Sequence, residues 1–119
     1  MAFTISTEDS ILVVRFDSEP SLEEVKQAVR EVDAIADSRF ELWDLSWAAS
    51  ADEVKEIAEV AKSKVHRPLR TAILTHTTLS YGLLRMYAVY REQSNNETQV
   101  FSDEEAARAW LAEGNDQQR

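Results

Sequence analysis

Apolar and polar positions along this chain switch between two periods. Phe3–Thr7 and Ile11–Phe16 are short, β-favouring runs separated by the polar Glu8-Asp9-Ser10, which reads as a hairpin of two strands. From Ser21 the period lengthens: Leu22, Val25, Val29, Val32 and Ala36 recur at helical spacing as one apolar stripe. Ser21 with Glu24 three residues on makes a capping box at the helix start, after the break at Asp17–Pro20. Phe40–Leu45 is the next strand. Ser50 with Glu53 opens a second helix, striped by Val54, Ile57, Ala58, Ala61 and Val65, and His66-Arg67-Pro68 ends it because proline cannot continue the hydrogen-bond ladder.

Arg70–Thr75 is a short strand, and His76-Thr77-Thr78 leads into a third helix that runs to Glu92. Gln93–Asn96 is a turn, Glu97–Phe101 the last strand, and Ser102 with Glu105 a third capping box before a helix carrying Ala106, Ala107, Trp110 and Leu111. Gly114 stands where a helix cap belongs, with Asn115–Arg119 as a flexible tail. The expected order is therefore ββαβαβαβα: an α/β domain over residues 1–114, with a single open mixed sheet of about five strands and four helices. Strands separated by helices imply right-handed crossovers and parallel pairing, with the first strand antiparallel.

Composition narrows the chemistry. The 119 residues carry a net charge of −9, which disfavours nucleic acid and anionic lipid surfaces. There is no cysteine, so disulfides, thiolate nucleophiles and cysteine-bound metals are excluded. No apolar run approaches the roughly 20 residues needed to span a bilayer, and the N-terminus lacks a signal-peptide pattern, so a cytoplasmic protein is expected. The two glycines, Gly82 and Gly114, make no phosphate-cradling loop, and the two histidines, His66 and His76, lack metal-ligand spacing. No cofactor and no metal are expected.

Several phrases resemble those of a known family. Arg70-Thr-Ala-Ile-Leu-Thr, Tyr81-Gly82-Leu83-Leu84-Arg85-Met86-Tyr87, Val100-Phe101 and Glu105-Ala106-Ala107-Arg108-Ala109-Trp110-Leu111 resemble the SpoIIAA-like branch of the STAS domain superfamily, and Trp43-Asp44-Leu45-Ser46 resembles its strand ending in an aspartate-containing loop. The resemblance implies an open sheet with helices packed around it and a binding module, not an enzyme. Some members dock onto a protein partner under control of a phosphorylated serine at a helix start, and related domains bind lipophilic ligands. Ser50 is the nearest equivalent of that phosphosite, but neither the paired serine nor the following glycine of the motif accompanies it. A phosphate there would meet the helix N-terminus favourably and Asp52 and Glu53 unfavourably; the alternative role of Ser50 is a plain helix cap.

The loops that follow two parallel strands should share one edge of the sheet, where open α/β folds place ligands. They bring forward Asp44, Ser46, Trp47, Ser50, His76, Thr77, Thr78 and Tyr81 as candidate ligand or partner contacts. Thr77, Thr78 or Ser80 would equally serve as a helix cap. Over residues 79–92, Tyr81, Leu84, Ala88 and Val89 add apolar surface beside the stripe of Leu79, Leu83, Met86, Tyr87 and Tyr90. That excess calls for a second burial partner: a neighbouring helix, a ligand cavity, or a homodimer or partner surface formed by Leu84, Arg85, Tyr87, Ala88 and Arg91. Trp43 and Trp110 are expected in the core, and the basic residues Lys62, Lys64, His66, Arg67 and Arg70 at a solvated helix end. Three functions follow in order: a non-catalytic, protein-interacting module; a carrier of a small lipophilic or anionic ligand; and an enzyme, which would require His76 and Asp44 close enough to share a substrate.

Overall fold

A computed structural model describes residues 3–35, 40–45, 51–62, 70–76 and 97–117. Its strands are β1 (Phe3–Glu8), β2 (Ile11–Phe16), β3 (Phe40–Asp44), β4 (Arg70–Leu74) and β5 (Glu97–Phe101), with helices α1 (Leu22–Ala34), α2 (Ala51–Lys62) and α3 (Glu104–Gln117). The described order is ββαβαββα; the helix expected between β4 and β5 falls on residues 77–96, outside those described.

The first two strands form the expected hairpin, paired antiparallel from Phe3 opposite Phe16 to Glu8 opposite Ile11. Asp9 and Ser10 close it at φ 52° and 69°, the positive values that a two-residue type I′ turn demands. Neither residue is the glycine that this backbone favours. Replacing Asp9-Ser10 by Asn-Gly should therefore raise unfolding free energy by about 1 kcal/mol in urea melts, with the fold unchanged by circular dichroism.

The other pairings are parallel, giving one sheet in the order β1-β2-β3-β4-β5. Because alternate residues of a strand point to opposite faces, the sheet has two cores. One face carries Phe3, Leu12, Val14, Trp43 and Ile73 and is covered by Val25, Ala28, Val29 and Val32 of α1 and Ile57 of α2. Glu41 lies on this face too, 1% exposed, with its carboxylate accepting from Trp43 Nε1 at 2.8 Å. Ser21 caps α1 in the expected box, donating and accepting with Glu24, and Lys26 of α1 pairs with Glu56 of α2.

The other face carries Ile11, Val13, Phe40, Leu42, Ala72 and Leu74, covered by Ala107 and Leu111 of α3. Two expectations about α3 need correction. Its cap is Asp103, not Ser102: the Asp103 carboxylate accepts from the backbone N–H of Glu105 and Ala106, and its carbonyl accepts from Ala107. An aspartate is as good a cap as a serine and carries the charge that the helix N-terminus favours. Gly114 does not cap the helix, which runs through it to Gln117. A Cβ there would lie 2.6 Å from Arg70 Cδ, so the glycine makes room for a side chain.

Arg70, expected at a solvated helix end, is buried at 7% exposure. It donates to the Trp110 carbonyl at 2.7 Å, lies 4.7 Å from the centre of the Trp110 ring, and reaches Glu97 at 3.5 Å. Trp110 is half-buried between Arg70 and Phe101 at the margin of this core.

Candidate functional site

The rows of side chains facing α3 are apolar through the middle of the sheet and end in charge at the C-terminal edge. On β2 the row is Ile11, Val13, Arg15; on β3 it is Phe40, Leu42, Asp44; on β4 it is Ala72, Leu74 and then His76. Register sets Arg15 beside Asp44, and Asp44 beside Leu74. The parallel pairing therefore delivers a guanidinium, a carboxylate and an imidazole to one edge.

Their contacts are direct. Arg15 Nη1 donates to Asp44 Oδ2 at 2.7 Å, and the other Asp44 oxygen, Oδ1, lies 3.1 Å from His76 Nε2. A neutral His76 must carry its proton on Nε2 to donate here, which makes Nδ1 the acceptor nitrogen. The His76 side chain is 61% exposed, against 20% for Asp44. An imidazole is thus held by an oriented carboxylate and turned outward at the edge.

The remainder of the cluster comes from α3 and β1. Glu104, the first residue of α3, takes both guanidinium nitrogens of Arg15 at 3.0 Å, a two-pronged geometry that suits arginine and a carboxylate. Arg108, one turn along, donates to Glu104 at 2.9 Å and to Glu8 of β1 at 2.7 Å. Six charged or chargeable groups therefore alternate in one chain, Glu8–Arg108–Glu104–Arg15–Asp44–His76, across the described elements β1, α3, β2 and β3 to the end of β4. The Arg15 bond, and next the Arg108 bond, hold the Glu104 carboxyl down at about 2. In return the guanidinium of Arg15 is pushed above its ordinary range, first by Glu104 and also by Asp44, and that of Arg108 is raised by Glu104 and then Glu8.

Two of the candidate contacts, Asp44 and His76, are brought together as the strand-edge reasoning expected. Ser46, Trp47, Ser50, Thr77, Thr78 and Tyr81, with the helix-surface residues Leu84, Arg85, Tyr87, Ala88 and Arg91, lie outside the described residues. Sequence reasoning missed Arg15, Glu104, Arg108 and Glu8. The i,i+4 spacing of Glu104 and Arg108 was a legible signal, as was an arginine in line with the buried Ile11 and Val13.

Chemically, a carboxylate-held imidazole can accept or donate a hydrogen bond to a partner, or serve as a general base. No group of three or more residues suited to hold a metal ion occurs among the described residues. Nor does any described helix have the length and apolar character to cross a membrane. No protein-family model matches the chain, and no curated protein or solved structure matches it either.

Proposed function

We propose that this chain is a non-catalytic, protein-interacting module of the STAS, SpoIIAA-like kind, and that it recognises its partner with the C-terminal edge of the sheet around His76. One observation carries the reading: the outward imidazole of His76 is fixed on Asp44, while the arginines behind it are held between carboxylates. Arg15 and Arg108 serve the scaffold, and the His76 side chain, 61% exposed, is the contact offered to a partner. A residue whose orientation is set before binding loses less entropy on docking.

The test is affinity purification with the wild-type chain and a His76→Glu variant, followed by binding measured with the purified partner. The variant should bind roughly tenfold or more weakly while keeping the wild-type circular dichroism. Equal affinity would remove His76 from the interface. If native mass spectrometry instead finds a small molecule carried through purification, the protein is a carrier.

A second reading has the 3.1 Å contact of His76 with Asp44 behind it, since a carboxylate-oriented imidazole is also the form of a general base. Hydrolysis of p-nitrophenyl acetate faster than by free imidazole, lost in both His76→Ala and Asp44→Asn, would favour an enzyme over a binding module.

A further inference from the structure

β1 is an edge strand, paired with β2 on one side and with no described strand on the other. Edge strands expose unpaired backbone groups, and proteins that stay apart protect them with lysine, proline, bulges or short length. Apart from the charge of Glu8 at the turn, which pairs with Arg108, β1 has no such protection. Its six residues pair with β2 in unbroken register, and Phe3–Thr7 contains neither charge nor proline although 29% of the chain is charged. Thr4, Ser6 and Thr7 are exposed.

The hairpin fixes which backbone groups point outward. A two-residue turn closes on a hydrogen-bonded pair, here Glu8 and Ile11, and such pairs alternate along an antiparallel ladder. Ser6 with Val13 and Thr4 with Arg15 are then hydrogen-bonded pairs as well, which turns the N–H and C=O groups of Phe3, Ile5 and Thr7 to the open side.

We propose that this edge binds a second copy of the chain, β1 against β1 and antiparallel, about a two-fold axis through Ile5. The pairing is self-complementary. Ile5 meets Ile5 and Phe3 meets Thr7 with their outward backbone groups matched, while Thr4 falls opposite Ser6. No charge opposes a like charge in these pairs. The axis stands perpendicular to the sheet, so the row of Phe3 and Ile5 that belongs to the α1–α2 core continues onto the same face of the partner. The other edge of the described sheet is β5. A β1-to-β5 contact would not close on itself and would build a filament.

Sedimentation equilibrium from micromolar to millimolar protein tests this surface independently of His76. The wild type should reach a two-chain mass and stop there, and added salt should strengthen association by screening the −9 charge on each copy. Thr4→Lys/Ser6→Lys sets lysine opposite lysine twice and should weaken association by roughly tenfold or more. Thr4→Lys/Ser6→Glu sets lysine opposite glutamate and should restore it. If the double-lysine variant does not fold, amide exchange on the wild type decides, because the N–H groups of Ile5 and Thr7 should become protected as concentration rises. A single-chain mass at every concentration, open-ended growth, equal association of both variants, or concentration-independent exchange would overturn the proposal.

Discussion

Arg70→Ala should lower the unfolding free energy by about 2–3 kcal/mol, more than any surface substitution in this chain. The loss combines a charge-assisted hydrogen bond to the Trp110 carbonyl, the stacking of the guanidinium on the Trp110 ring, and the packing of a buried aliphatic stem. All three join β4 to the middle of α3. Gly114 sharpens the test. In the wild type, Gly114→Ala brings a methyl to 2.6 Å from Arg70 Cδ, and the guanidinium is held on Trp110, so the substitution should cost about 1 kcal/mol net. With Arg70 already alanine the clash is gone, and the same change should stabilise by about 1 kcal/mol through helix propensity. A double-mutant cycle by urea denaturation reads the reversal of sign.

Glu104→Gln should cost about 1–2 kcal/mol at neutral pH, a figure discounted for solvent screening because the Glu104 side chain is 37% exposed. The substitution removes the charge shared by Arg15 and Arg108 and loosens the start of α3 from β2. Its pH dependence follows from the depressed carboxyl, at about 2 in the folded chain against an ordinary 4.5. Such a group stabilises the fold fully above its ordinary value and loses that contribution as pH falls toward about 2. The gap between wild type and variant should therefore be widest above pH 4.5 and close as pH approaches 2. Urea melts across that range, repeated at high salt to screen the pairs, check both the size and the sign.

The strands and the α1 capping box were legible because they are local. Phe3–Glu8 and Ile11–Phe16 alternate or cluster apolar residues over a few positions, and Ser21 and Glu24 are three apart. What lies between distant elements was not. Arg15 meets Glu104 across 89 positions and Arg108 meets Glu8 across 100, and nothing in the local pattern pairs them. Arg70 and Gly114 each suit their expected roles by residue type, a basic residue at a helix end and a glycine cap. Only the crossing of α3 over the start of β4 shows that Gly114 makes room for the Arg70 side chain. That Asp44 and His76 share an edge was foreseeable from the parallel pairing, because Asp44 ends β3 and His76 follows β4. Their link back to Arg15 and Glu104 depends on where α3 begins, and the cap at Asp103 rather than Ser102 sets that start.

The proposed partner surface is the C-terminal edge of the sheet around His76. Photo-crosslinking in cells addresses it directly, with a benzophenone amino acid placed at His76 in one variant and, as a control, at the exposed Gln27 on α1 in another. A discrete protein adduct is expected from position 76 and none from position 27. Adducts from position 27 alone, or the same adducts from both positions, would contradict it.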